Sequence, residues 1–348
     1  MRTGELWWSR LVNSVRFLDD VKDSLIDGKS VIMNFSGNIP WYNDMTEFLE
    51  QKLSFMTDTR SVIYDDVTSI TAEPGKYLFT KYFSESERRK YWTDKSYEQF
   101  MAENNNTILN HRILCITGIN SGNAVSWLKT VSEYLEHRNS EERCIFILFV
   151  QNANTNGSKL ISNFQYADYV TDYDCLMLCL TLLSSEKCSS IQKQYISELA
   201  SNIANNNVEI AGLLAKEGIN LAEDPYGTAS EVIRNNNIKI NNLSEVVEKA
   251  IWEAQIKLFF PRLEDFRRTL VQKYSNKIKK YLPITSSSGE RIDKPSDVEI
   301  GQLFFISGKE KFLEKNEFDM LCKMRNARNL LAHSDSIDFT MLNEIKLL

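Results

Sequence analysis

The chain has 348 residues, 43% of them hydrophobic, and is long enough for two or three domains with separate cores. Its formal net charge is −6, which excludes attraction of nucleic acid by overall charge, so any polyanion site must be local. Residues 241–348 hold 18 Lys and Arg against 16 Asp and Glu, a charge of +2, whereas residues 1–240 carry −8.

Three features predict a cytoplasmic protein without membrane contact. The N-terminal sequence lacks the basic and then apolar pattern of a signal peptide. The longest apolar stretch, 175–183, is far shorter than the roughly 20 residues that cross a bilayer. The six cysteines are interpreted as reduced core residues. Because no histidine accompanies Cys175 and Cys179, we predict no metal site, and no cofactor is expected.

The first half alternates between predicted helices and strands. Helical spacing predicts helices at 9–26, 41–54 and 124–136, and continuous apolar runs predict strands at 30–35, 60–64, 112–117 and 144–150. We interpret residues 77–83 as an extended piece and 85–103 as a charged helix. Strands separated by helices of this length predict a parallel α/β sheet with flanking helices.

Motifs for phosphate binding are misplaced in this half. Gly28-Lys29-Ser30 has the letters that end a P-loop, but it precedes the first strand, and a P-loop must follow one. The correct position, 36–41, has one glycine and no lysine. Asp65-Asp66 end a strand as magnesium-binding acids would, but the strand that usually has this role ends in Gly118-Ile119-Asn120 without a carboxylate.

By its layout, the segment 1–185 resembles an AAA-type P-loop NTPase whose phosphate-binding and magnesium-binding residues have been lost. The resemblance implies a P-loop-NTPase-like α/β domain in which ATP hydrolysis is not expected. A docking or sensing domain is the alternative, because fold alone does not imply function.

Two further segments are predicted to be helical. Residues 186–240 are interpreted as a helical lid or linker. Residues 241–348 form an all-α domain, in which Pro261 should kink or end the first long helix. Ser296 and Glu299 predict the cap of a short helix at 297–306, and Asn316 is expected to open the last helix.

The most informative feature lies near the end of that last helix, where Arg328-Asn329 is followed by His333. It joins a permanent cation to a group that exchanges a proton near neutral pH, the minimum pair for metal-free phosphodiester cleavage. Asn329 and His333 share a helix face, whereas Arg328 is about 140° from His333 around an ideal helix. One copy of the helix is therefore not expected to complete a site. In the alternative reading, both cations cap the negative end of the helix dipole.

The pattern of Arg328, Asn329 and His333 resembles the motif of the HEPN (higher eukaryotes and prokaryotes nucleotide-binding) superfamily of small helical bundles. Residues 252–264 also look like the first helices of members associated with phage defence. The resemblance implies a homodimer that cuts single-stranded RNA, with His333 transferring protons, Arg328 stabilising the phosphate and Asn329 orienting either group. The residues expected to hold the RNA backbone are Arg325, Lys273, Lys277 and Lys280; for the lysines, a solvated helix face is the alternative.

Three functions stay open from the sequence. The first is a cytoplasmic HEPN-type endoribonuclease or toxin-like effector, whose N-terminal domain senses a phage trigger or docks a protein partner. The second is a non-catalytic interaction or scaffold subunit of a defence complex. The third is a divergent nucleotide-binding NTPase.

Overall fold

The structure is a computed structural model that describes residues 1–54, 60–104, 107–138, 141–285 and 289–348. The chain divides into two compact units, Met1–Asp174 and Cys175–Leu348. Among the described residues, no helix combines the length and the hydrophobicity that a membrane span needs.

A five-stranded parallel sheet, in the order β2-β3-β4-β1-β5, forms the centre of the first unit. Its strands are β1 (Ser30–Phe35), β2 (Ser61–Asp66), β3 (Arg112–Asn120), β4 (Ile145–Gln151) and β5 (Ile161–Gln165). The predicted parallel α/β sheet is confirmed. The central strands β1 and β4 are apolar along most of their length because both their faces are covered. The sequence did not predict β5, an edge strand in which Ile161 alone is buried.

Helices that belong wholly to the first unit precede, separate and follow these strands. They are α1 (Thr3–Arg10), α2 (Val12–Ile26), α3 (Tyr42–Leu53), α4 (Pro74–Tyr82), α5 (Glu85–Arg88), α6 (Tyr97–Glu103), α7 (Ala124–His137) and α8 (Tyr166–Tyr169). Trp7, Trp8 and Phe17 are fully buried. The apolar positions of α1 and α2 thus contribute large aromatic side chains to the core.

Three local predictions in this unit were wrong. Residues 77–83 are not extended, because Pro74 starts α4 and Leu78 and Tyr82, four apart, share its buried face. The helix expected at 85–103 is two short helices, each begun by a serine whose side chain accepts a backbone N–H. The helix expected at 9–26 is two helices, because Leu11 has extended backbone angles.

The second unit is almost entirely helical. The helix α9 (Asp172–Leu182) spans the division between the units. It is followed by α10 (Ser190–Ile203), α11 (Val208–Ala215), α12 (Ile219–Glu223), α13 (Pro225–Asn235), α14 (Leu243–Lys273), α15 (Ser275–Ile278), α16 (Ile300–Glu310), α17 (Lys315–Ala332) and α18 (Phe339–Glu344). Between α15 and α16, β6 (Ile284–Thr285) and β7 (Arg291–Ile292) form a short antiparallel pair.

Two predictions here also need correction. Of the two outcomes expected at Pro261, a kink or an end, the end is wrong, since the 31-residue α14 runs through Pro261 to Lys273. Because proline has no N–H, the carbonyl of Lys257, four residues earlier in the helix, lacks its usual hydrogen-bond donor. Both Lys257 and Pro261 are exposed. The predicted cap at Ser296 is wrong as well, because α16 begins at Ile300, where Glu299 and Gln302 form the capping box.

Candidate functional site at the end of α17

Helix α17 carries the predicted motif and packs against α14 and α16. Its buried positions are Leu321, Met324, Ala327 and Leu331, a stripe at steps of three and four. Burial of this stripe leaves Arg325 and Arg328 half-buried at its border. The helix starts at Lys315, one residue before the predicted Asn316, with a capping box formed by Glu314 and Glu317.

The helix ends in a Schellman turn around His333. The Asp335 N–H donates to the Leu330 carbonyl at 2.9 Å, and the Ser334 N–H donates to the Leu331 carbonyl at 3.3 Å. Ser334 supplies the left-handed conformation that this turn needs, with φ of 64°. The His333 side chain is exposed and, within the described part of the chain, forms no hydrogen bond or ion pair. Its imidazole is therefore open to solvent and to a ligand.

Two side chains of α14 hold this turn. The Trp252 Nε1 donates to the Leu331 carbonyl at 2.9 Å, ahead of His333. Beyond His333, the Gln255 Nε2 donates to the Ile337 carbonyl at 2.7 Å, and the Gln255 Oε1 accepts from the Ile337 N–H, also at 2.7 Å. The sequence showed Trp252 and Gln255 only as part of a family resemblance, and no local signal indicated these long-range bonds.

Arg328 lies beside a cavity of about 240 Å³ between α14, α16 and α17. Its Nη1 is 3.5 Å from the Asn329 Oδ1, a distance at which a hydrogen bond is weak. Among the described residues Arg328 forms no ion pair. In the same cavity the Arg267 Nε binds the two Glu264 oxygens at 2.8 and 3.0 Å. This hydrogen bond lowers the pKa of Glu264, and the charges of Arg267, Arg268 and Arg328 lower it further.

The charge of this cavity is close to balanced. Its walls contain Arg267 and Arg328 against three carboxylates, those of Glu264, Asp297 and Glu299, for a formal charge of −1. The cavity by itself therefore does not attract a polyanion. His333 is not among its lining residues, so the arginine and the histidine of the motif do not share this cavity.

The residues predicted to hold an RNA backbone have different surroundings. The Arg325 guanidinium carbon lies 4.5 Å from the centre of the Phe304 ring, beside a second cavity of about 530 Å³. Lys273 forms a 2.6 Å ion pair with Glu317. Lys277 lies over the Tyr274 ring, 5.3 Å from its centre. Lys280 is exposed at the end of the same segment.

The predicted place for a phosphate loop, between β1 and α3, is filled by the chain itself. The Trp8 Nε1 donates to the Pro40 carbonyl at 2.9 Å, and Trp7 and Trp41 pack with their rings 6.1 Å apart. Gly4 allows this close approach, because a Cβ there would overlap Trp41 and Asp44. Asp44, in the first turn of α3, where a P-loop needs free amides and a lysine, is a carboxylate that pairs with Arg2 at 2.9 Å.

The two acids at the end of β2 are also engaged. Buried Asp65 accepts hydrogen bonds from Tyr77 at 2.7 Å and Tyr82 at 2.8 Å, and pairs with Lys81 at 2.5 Å. Asp66 accepts from the Thr68 hydroxyl and, at 2.9 Å, from its N–H, and these bonds lower the pKa of Asp66. In the described ranges, no group of three or more His, Cys, Asp or Glu is placed to hold a metal ion.

Comparisons with known proteins assign no family. No protein-family model matches the chain, and no curated protein matches it. Among solved structures, that of a RuvB mutant from Thermotoga maritima aligns with 70% of this chain and 74% of its own, with 10% sequence identity and a TM-score of 0.34. The interpretations of the first unit as P-loop-like and of the C-terminal helices as HEPN-like stay predictions.

Proposed function

We propose that the chain is a metal-independent endoribonuclease that acts on single-stranded RNA as a homodimer, with the second unit as the catalytic part. The observation that carries the proposal is the end of α17, where an anchored turn leaves His333 exposed to solvent and Arg328, five residues earlier, forms no ion pair with any described residue. The first unit, a P-loop-like domain without a phosphate loop, then serves as a sensor or docking module, as in prokaryotic phage defence.

The chemistry needs no added reactant. A base takes the proton of the ribose 2′-hydroxyl, the 2′-oxygen bonds to phosphorus, and the bond from phosphorus to the 5′-oxygen breaks. An acid then protonates the leaving oxygen. His333 from each of two copies fits the two proton transfers, and Arg328 stabilises the charge on the phosphorane. Pairing of two α17 ends supplies what one copy lacks, because Arg328 and His333 lie on different faces.

The decisive measurement is cleavage of single-stranded RNA by the full chain in EDTA. We expect products with a 2′,3′-cyclic phosphate and a free 5′-hydroxyl. His333→Ala should lower kcat by about 10² to 10⁴, the usual contribution of a general acid or base. His111→Ala and His137→Ala, which change the other two histidines, are the matched controls and should cut as the wild type does. Equal cutting by His333→Ala would overturn the proposal.

A second candidate is a non-catalytic interaction subunit. The formal charge of −1 around Arg328 favours it, and so does Phe305, 71% exposed beside the cavity that Arg325 lines. In that case the chain self-associates in sedimentation experiments and cuts no RNA. Phe305→Ser should weaken the association, whereas His333→Ala should leave it unchanged. Wild-type cleavage in EDTA would exclude this candidate.

A further inference from the structure

The turn that carries His333 is tied to α14 on both sides. Trp252 and Gln255 are three residues apart and therefore lie on the same face of α14. Trp252 binds the carbonyl two residues before His333, and Gln255 binds both backbone polar groups of Ile337, four residues after it. The seven-residue segment 331–337 is thus fixed at its two ends by one rigid helix.

Gln255 has all the partners that this connection requires. It is 0% exposed. Its Oε1 accepts from Ile337, and its Nε2 donates to Ile337 at 2.7 Å and to the Tyr195 hydroxyl at 3.2 Å. Because a buried amide without partners is costly, the side chain has little freedom to release Ile337. The Ile337 carbonyl and N–H already fix the orientation of the amide, and the Tyr195 hydroxyl, from α10, only accepts the second N–H of Nε2.

Ser334, immediately after His333, gives an independent indication. Its φ of 64° lies in the left-handed region, which costs an L-residue roughly 1–2 kcal/mol and is usually occupied by glycine at this position of a helix end. Such a conformation persists where the surroundings determine the backbone, and it is found often at functional sites. The Schellman hydrogen bonds set this conformation of Ser334, and the bonds from Trp252 and Gln255 hold the segment on either side of it.

We propose that Trp252 and Gln255 are positioning residues that fix the backbone of the His333 turn, and with it the place from which the imidazole reaches for proton transfer. The catalytic meaning rests on the ribonuclease proposal, but the positioning itself does not. Neither residue is placed to touch the RNA phosphate in this scheme, since both act through backbone atoms of the turn. Loss of either should leave RNA affinity unchanged and lower the rate, because a displacement of about 1 Å at a catalytic group costs about 10²-fold.

Three variants of the full chain separate positioning from general stability. Gln255→Met keeps the side-chain volume and removes both bonds to Ile337. Trp252→Phe keeps an aromatic ring and removes the N–H donor. Tyr195→Phe is the matched control, because it removes only the third partner of Gln255 and leaves the bonds to Ile337 in place.

The first readout is the backbone ¹⁵N–¹H NMR signal of His333 in protein labelled at histidine, which is assigned by its disappearance in His333→Gln. We expect Gln255→Met and Trp252→Phe to shift this signal toward the value of an unstructured peptide. Tyr195→Phe should not move it, and the signals of His111 and His137 should stay in place in all three variants. An unmoved His333 signal in folded Gln255→Met and Trp252→Phe overturns the inference, whether or not the protein cuts RNA.

The second readout applies to RNA cleavage. We expect Gln255→Met to lower kcat by about 10- to 100-fold with KM unchanged, and Tyr195→Phe to retain the wild-type kcat. A shifted His333 signal in a protein that cuts no RNA would support the positioning and refute the ribonuclease. A rise in KM at constant kcat would show that the turn serves binding and would overturn the positioning role.

Discussion

Two helix ends in this molecule differ in what surrounds them. At the N-terminus of α3, where a P-loop protein binds phosphate, the space is taken by Trp7, Trp8 and Pro40, and the carboxylate of Asp44 pairs with Arg2. At the C-terminus of α17, the backbone is equally well fixed, but the His333 side chain stays exposed. Helix ends leave backbone groups to be satisfied. Side chains cover the first end, whereas the second end leaves a histidine side chain exposed.

The largest expected effect is a loss of stability when packing at the N-terminus of α3 is removed. Trp8→Ala removes a fully buried side chain and its bond to Pro40, so we expect a loss of about 3–5 kcal/mol in the free energy of unfolding. Trp92→Ala is the control, because Trp92 is 76% exposed and its loss should cost below about 0.5 kcal/mol. Urea denaturation measures both. Equal losses would mean that packing against Trp8 does not hold the β1–α3 loop.

A smaller effect is expected beside Arg328. Because the folded-state pKa of Glu264 is lowered, its carboxylate contributes stability above the unfolded-state value, and this contribution is lost as pH falls through the folded-state pKa. The carboxylate is 45% exposed, so Glu264→Gln should cost below about 1 kcal/mol at pH 7.

Urea denaturation across pH measures this dependence. The difference from wild type should shrink as pH falls below the ordinary value of 4.5. Glu231→Gln, whose carboxylate is 67% exposed and 3.9 Å from Arg234, is the control and should show a smaller change. If the stability difference between Glu264→Gln and the wild type grew toward low pH, the pKa of Glu264 could not be lowered in the folded state.

The last prediction is that added nucleotide has no effect on stability. Mg-ATP should not shift the melting temperature of the chain, because the β1–α3 loop is filled and both Asp65 and Asp66 already have partners. A real site would add about 2.7 kcal/mol of stability at a ligand concentration 100 times its Kd. A clear upward shift would therefore restore the nucleotide-binding alternative and end the contrast between the two helix ends.

The sequence predicted the features that local patterns determine. The four strands with apolar runs were found because alternation of strands and helices is visible in the order of residues. The edge strand β5 was missed, because Ser162 and Asn163 give it no apolar run. The prediction that residues 77–83 are extended was wrong, although Pro74 and the spacing of Leu78 and Tyr82 are visible in the sequence and favour a helix. The helix end considered at Pro261 was wrong, because the local sequence does not show that the residues around this proline are exposed.

The candidate site shows the same limit. Periodicity predicted that Arg328, Asn329 and His333 all lie on the last helix; Arg328 and Asn329 do, whereas His333 is the residue that caps its C-terminal end. Their roles, and the domain ranges 1–185, 186–240 and 241–348, stay predictions. What the sequence could not show is the distant partner, since Glu264 and Gln255 meet this region only after α14 has folded back on α17.

The link from Gln255 to Ile337 also makes the His333 turn a reporter of cooperative folding. The two residues are 82 positions apart, so their bond forms only when distant parts of the chain have met. An isolated peptide with the sequence of α17 could become helical and still lack this turn. The histidine should consequently reach its working position in the same transition that assembles the whole bundle, and lose it in that transition when the bundle melts.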